Sequence, residues 1–202
     1  MAGTRTTTAY AILGLLSIRE WTSYDLAKQV RRSLNWFWPR AERRLYEEPK
    51  RLAEAGLATA HREKTGRRAR TVYRITEAGR DALRSWLSEP PAPRTVEFEG
   101  MVKVFFADTG TKEQLLTTLD HIARESQERL TALAQMAGEP ATFPHRAHLG
   151  ALGLQLQHEQ EQAVRRWAGW AREQVESWTA ADDPGHWDTR AVLAELSSRH
   201  RS

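Results

Sequence analysis

The sequence predicts a mainly α-helical protein in two parts: three helices, a β-hairpin and a fourth helix, followed by an all-helical domain. Three observations carry that expectation. Apolar residues recur at helical spacing through most of the 202 positions. That rhythm gives way once, between Leu57 and Ile75, to two short runs of strand character around Gly66. Pro90, Pro91 and Pro93 then fall within 88–95, where they end a helix and favour a stiff, extended connector. The expected organisation is an N-terminal domain at 1–87, the connector at 88–95 and a helical domain at 96–202.

In the first domain, Thr7–Ile18 places Ala9, Ile12, Leu15 and Leu16 on one helical face, with hydroxyls at Thr6–Thr8 to cap it. A second helix is expected from Tyr24 to about Leu34, with Thr22 and Ser23 as capping candidates. Leu26, Val30 and Leu34 turn inward, and Lys28, Arg31 and Arg32 turn outward. A third should start at Pro39, since Pro suits a first turn, and end at Gly56 as a C′ glycine. Leu45, Leu52 and Ala53 form its inner face, while Arg40, Arg43, Arg44, Lys50 and Arg51 crowd the rest. Pro49 interrupts its hydrogen bonding and predicts a kink or a late start. Leu57–Arg62 and Arg70–Ile75 read as strands around a basic turn, and Thr76 caps a fourth helix through Ala82, Leu83, Trp86 and Leu87. This order of elements is a winged helix-turn-helix.

Beyond the connector, Val96–Ala107 is apolar nearly all round and is expected to be a buried helix. Lys112–Met136 and His145–Trp178 read as long amphipathic helices, and Thr189–Ser197 as a short last one. Helices this long and apolar, with little else to cover them, point to pairing with a second copy.

Charge is distributed unevenly. Residues 1–85 hold 18 Lys/Arg against 9 Asp/Glu, whereas residues 86–202 hold 12 against 17. A basic first domain suits a polyanion. No apolar run approaches the roughly 20 residues that span a bilayer, so no membrane association is expected. With no Cys, disulfide frameworks, Cys-zinc sites and thiol nucleophiles are excluded, and a cytoplasmic location is expected.

Three stretches carry a family resemblance: AYAILGLLSIREWTSYDLAKQV, LYEEPKRLAEAGLA and VYRITEAGRDALRSWL. The last holds Tyr73, Ile75, Thr76 and Gly79 at a strand-to-helix junction. Together, in this order, they make the chain resemble the PadR family of bacterial transcriptional regulators. VEFEGMVKVFFAD and RRWAGWAREQVESW resemble the large helical domain of that family's longer members. The resemblance implies a homodimeric regulator of double-stranded DNA that binds a pseudo-palindromic operator, acts as a repressor and is released by a candidate small-molecule effector. An architectural DNA-binding protein without sequence preference, or a winged-helix adaptor for another protein, is the alternative.

The candidate DNA-binding residues follow from the elements. Arg40, Arg43 and Arg44 lie at the start of helix three, where long donors reach base edges in the major groove. The resemblance places Tyr46 at the DNA surface, and Lys50 would track phosphates. Thr22, Ser23 and Tyr24 open helix two, where backbone N–H groups suit a phosphate. Lys64, Arg67, Arg68 and Arg70 surround the hairpin tip and suit the minor groove or backbone. A solvated helix face, with Glu42, Glu47 and Glu48 pairing to Arg, and an ordinary exposed turn are the competing explanations.

Of the eight Trp, Trp21, Trp36, Trp38, Trp167 and Trp170 are candidates either for core packing or for stacking on an aromatic effector. Trp36 and Trp38 flank the link between helices two and three and are the effector candidates. Phe98, Met101, Phe105, Leu149, Leu152, Leu156, Trp167 and Trp170 are the candidate dimer interface. His145 and His148, with His158 or Glu159, have the spacing of a chance pair rather than a metal site. No GxSxG, P-loop or GxGxxG pattern occurs. No catalytic residue, metal or cofactor is expected.

Overall fold

The computed structural model describes residues 5–34, 42–65 and 68–198, and of Glu42, Arg43, Lys64, Thr65, Arg68 and Ala69 only the backbone. The chain divides into two compact units, Met1–Arg94 and Thr95–Ser202.

In the first unit, α1 (Thr7–Ile18) starts where the Thr6 hydroxyl accepts the Ala9 N–H at 3.3 Å. It buries Ala9, Ile12, Leu13, Leu15 and Leu16, more of its circumference than one stripe, because partners lie on several sides. A two-residue strand, β1 (Trp21–Thr22), leads directly into α2 (Ser23–Ser33), whose inner face is Leu26, Ala27 and Val30. Trp21 belongs to this core: it is buried, its indole N–H donates to the Leu15 carbonyl at 2.9 Å, and Arg19 stacks on its ring. Fixed from both sides, it is no effector-stacking platform.

Helix α3 (Glu42–Glu54) runs through Pro49, whose ring is fully buried beside Leu45 and Leu52. The lost backbone donor is thus accompanied by core packing of the ring. The part of the expected helix before Glu42 lies outside the described residues. Its end is as expected: Gly56 adopts a φ of 73°, and the N–H groups of Gly56 and Leu57 return to the Ala53 and Leu52 carbonyls at 3.0 and 2.9 Å. That is a Schellman closure.

The hairpin pairs β2 (Ala58–Thr65) with β3 (Arg68–Ile75) in antiparallel register, from Ala58 opposite Ile75 to Thr65 opposite Arg68. Strand β1 pairs with the other edge of β3, giving the order β1-β3-β2. Both wing strands reach closer to the turn than their apolar pattern predicts. Helix α4 (Glu77–Leu87) follows, capped by the Thr76 hydroxyl on the Gly79 N–H, and Trp86 stacks on Tyr10 of α1 with centroids 4.7 Å apart.

The Thr76–Gly79 junction has a steric reason. The Thr76 hydroxyl donates to the Gly56 carbonyl and its N–H to the Leu57 carbonyl. This draws α4 so close that a Cβ on Gly79 would fall 2.1 Å from the Leu57 oxygen and 2.8 Å from the Ile75 side chain. Gly79→Ala is therefore expected to destabilise the domain by about 1–3 kcal/mol, as overpacking against backbone does. Urea denaturation with an unchanged m-value checks this.

In the second unit, the expected helix at Val96–Ala107 is shorter. Helix α5 spans Glu99–Phe105, with Phe98 in extended conformation at its N-cap and a 3-10 turn at Ala107–Thr109 behind it. It approaches the long helix that follows, α6 (Lys112–Gly138), at Gly100, where a Cβ would lie 2.9 Å from Ile122. The expectation that this segment is buried is corrected: Val96, Met101, Val102, Phe105 and Phe106 are all exposed. A helix of seven residues packed mainly on α6 leaves much of its apolar circumference uncovered.

Helix α6 (Lys112–Gly138) opens with a Thr111/Gln114 capping box and buries Leu115, Leu119, Ile122, Ser126, Leu130 and Leu133. Helix α7 (Ala147–Glu176), after a 3-10 turn at Pro144–Arg146, lies antiparallel to it. Three ties fix the register: Lys112 Nζ donates to the Glu176 and Trp178 carbonyls, Arg172 to Asp120, and Arg129 to Glu161. Partial burial pulls the Arg129 pKa down, but Glu161 and Glu125 outweigh this and leave it raised. The last helix, α8 (Thr189–Ser198), buries none of its residues.

Candidate nucleic-acid interface

The candidate surface is built by α2, α3 and the wing. Helix α3 turns Leu45, Pro49 and Leu52 into the core, and the same periodicity turns Arg44, Tyr46, Lys50 and Arg51 outward. Tyr46 and Lys50 are neighbours four residues apart, and Arg44 and Arg51 are stacked seven apart. Arg51 leans on Glu47 at 3.4 Å and Glu48 at 4.0 Å, whereas Arg44 and Lys50 have no carboxylate partner among the described residues. The first turns of this helix thus offer an exposed guanidinium, and its middle an ammonium and a phenol. Of Arg43 the side chain is not described, and Arg40, Trp36 and Trp38 lie outside the described residues.

At α2 the sequence expectation is refined. The Thr22 hydroxyl accepts the Asp25 N–H at 3.1 Å and donates its own proton to Asp25 Oδ2 at 2.8 Å. Its single donor is thus committed to capping, and Asp25 places a negative charge in the first turn. That leaves half-buried Ser23 and exposed Tyr24 at this end for an anion.

The wing presents two different faces. Arg62 is exposed on one. On the other, Arg70 donates to Glu63 Oε2 through Nε at 3.3 Å and Nη2 at 3.0 Å, and Arg74 donates to Glu20 through Nε at 2.7 Å. Hydrogen bonding from Arg70, then from His61, holds the Glu63 carboxyl below its usual range. Both pairs are exposed. Solvent screening leaves such pairs weak enough for a phosphate to capture Arg70. Lys64 and Arg68 have only their backbone described, and Arg67 lies outside the described residues. Sequence reading missed Glu20, His61, Glu63 and Arg74 as a group, because Glu20 and Arg74 lie 54 positions apart.

The second unit has an inverted amphipathic helix. In the C-terminal half of α7, Ala168, Ala171 and Val175 face inward, as expected. In the N-terminal half the buried residues are polar, Gln157 and Glu161, while Leu149, Leu152 and Leu156 stay exposed. With Met101, Phe105 (79 % exposed) and Trp170, they form the uncovered part of the candidate dimer interface. Phe98 is half-buried at the α5 N-cap. Trp167 is half-buried and packs on the cluster of Leu115, Leu119, Ala171 and Val175.

The profile of the transcriptional regulator PadR-like family matches residues 12–85, and that of the virulence activator alpha C-terminal domain matches residues 99–176. The negative transcriptional regulator PadR of Bacillus subtilis is 28 % identical over 160 residues, which are 74 % of this chain and 88 % of that protein. The crystal structure of that PadR with operator DNA has a TM-score of 0.74 at 25 % identity, covering 84 % of this chain and 98 % of the other. It has also been solved with p-coumaric acid, at TM-score 0.65, 24 % identity and 86 % and 99 % coverage. The virulence activator AphA of Vibrio cholerae has a TM-score of 0.66 at 27 % identity, with 85 % and 99 % covered. Among the described residues no helix is long and apolar enough to cross a membrane. Residues 12–85 thus carry a PadR-like transcriptional-regulator domain and residues 99–176 a helical C-terminal domain of the virulence-activator type, and the chain is a DNA-binding transcriptional regulator similar to PadR of B. subtilis rather than an enzyme.

Proposed function

We propose that the chain is a cytoplasmic repressor that binds a pseudo-palindromic operator as a homodimer and is released by a small-molecule effector. The observation that carries the DNA-reading part is the exposed face of α3, where Arg44, Tyr46 and Lys50 stand opposite a fully buried face. A helix held rigidly by its inner side, with the exposed donors of Arg44 and Lys50 outside, has the shape and chemistry to enter a major groove. Arg44 at the start reads base edges, Arg40 and Arg43 extend that end, and Lys50 holds phosphate. Tyr24 and Ser23 at α2 flank it. The wing adds Arg62, Arg70 and, around its tip, Lys64, Arg67 and Arg68.

Dimerisation is supported by the outward leucines of α7 and the exposed phenylalanines of α5. A two-fold pair of winged helices then matches two half-sites about one or more helical turns apart. Release by an effector is in keeping with the solved complex of B. subtilis PadR with p-coumaric acid. In this chain Trp36 and Trp38, between α2 and α3, are the residues proposed to meet it.

Footprinting the purified protein on the DNA upstream of its own gene tests the reading. A protected segment with two related, inverted halves is expected. Uniform, sequence-independent protection would favour an architectural role instead.

A further inference from the structure

We propose that the base of the wing is a binding site for one transition-metal dication of the Zn2+ type, held by Glu20, His61 and Glu63. On that sheet face both carboxylates divide their oxygens in the same way. The outer oxygens are held by arginine, Glu20 Oε1 by Arg74 and Glu63 Oε2 by Arg70. The inner oxygens converge on one atom, His61 Nε2: Glu63 Oε1 lies 3.3 Å from it and Glu20 Oε2 3.6 Å. All three candidate ligand atoms lie within 4.8 Å of one another.

A single, unshared hydrogen bond from Nε2 serves only one of the two carboxylates at a time. Nε2 carries at most one proton, and one proton directed at Glu63 leaves Glu20 facing the same nitrogen without a donor of its own. A cation between the three satisfies both carboxylates and the nitrogen lone pair. The two edges that meet at His61 also fit: tetrahedral zinc with bonds of about 2.0–2.1 Å separates its ligands by roughly 3.3 Å. The arginines take the role that outer hydrogen bonds have at metal sites, fixing the carboxylates in orientation. One nitrogen and two oxygens favour a borderline dication over Mg2+, which prefers an all-oxygen octahedron. The site is open enough for water to complete the coordination. The two guanidinium charges oppose the metal and keep its affinity moderate.

Such an ion ties together distant parts of the chain. Glu20 immediately precedes β1 and the cap of α2, whereas His61 and Glu63 stand two apart on β2, across β3. A bound metal therefore clamps the wing to the entry of α2. Metal uptake at these residues does not depend on whether the wing touches DNA.

The test is a titration of the metal-stripped, full-length protein with Zn2+ against a chromophoric chelator, with Co2+ as a spectroscopic probe. One site per chain is expected. His61→Ala and Glu63→Gln should each weaken it by at least about tenfold, the lower bound for disturbing a metal's surroundings. His158→Ala, on α7, should leave it unchanged. His61 is partly exposed, so its loss should preserve folding, and amide exchange at residues 20–22 and 58–63 should slow with Zn2+ only when His61 is present. Zn2+ binding equal in the parent and His61→Ala proteins, or no stoichiometric binding in either, overturns the proposal.

Discussion

Replacing Phe105 and Leu152 together by Asp is expected to convert the protein from a dimer to a monomer at micromolar concentration and to abolish tight operator binding. Both side chains are largely exposed in the single chain, at 79 % and 70 %, so the substitution leaves the monomer's own core intact. A buried apolar anchor at a protein interface is worth about 2 kcal/mol or more. Two-fold symmetry repeats each loss in the partner, and Asp adds the cost of burying a charge. Sedimentation should show a folded monomer with unchanged helical content. A variant that remains dimeric would place the interface elsewhere on the helical domain.

The second large effect concerns α3. Arg44→Ala should cost roughly 1–3 kcal/mol per half-site and relax preference at one operator position, as loss of a bidentate base contact does. Lys50→Ala should weaken operator and scrambled DNA alike and lower the salt slope by about one unit per half-site. Neither residue contributes to the buried face of α3, so both variants should keep the stability of the parent. Equilibrium binding across a salt series separates the two signatures. A uniform loss for Arg44→Ala would make it a phosphate contact.

Local chemistry explains why much of the fold was legible in the sequence. Helix α1 has the bounds its pattern predicts because Thr6 supplies a cap and the apolar face begins at once behind it. The end of α3 was readable from Gly56, and the start of α4 from Thr76, since each position uses a residue type suited to the conformation there. The wing strands were read too short because His61–Thr65 carry charged side chains on a sheet with solvent at one face, where apolar alternation is lost. Helix α5 was read too long and as buried, because apolar content reports what must be covered somewhere, not what one chain covers.

Of the candidate interface, the outward residues of α3 followed from period alone. The commitment of Thr22 to Asp25 was not legible, because a capping hydroxyl and a phosphate-binding hydroxyl have the same sequence signature. The Glu20–Arg74 and Glu63–Arg70 pairs were not legible either: they arise from strand order and register, which bring together residues with no shared local pattern.

The central claim is that this chain reads one DNA sequence as a two-fold dimer. The most direct measurement is a competition titration of the footprinted segment against scrambled DNA of equal length, with the mass of the complex determined in parallel. A preference of about 10³-fold or more for the segment is expected, with two chains per duplex. Equal affinity for both DNAs, or a single chain on the bound segment, would contradict the account.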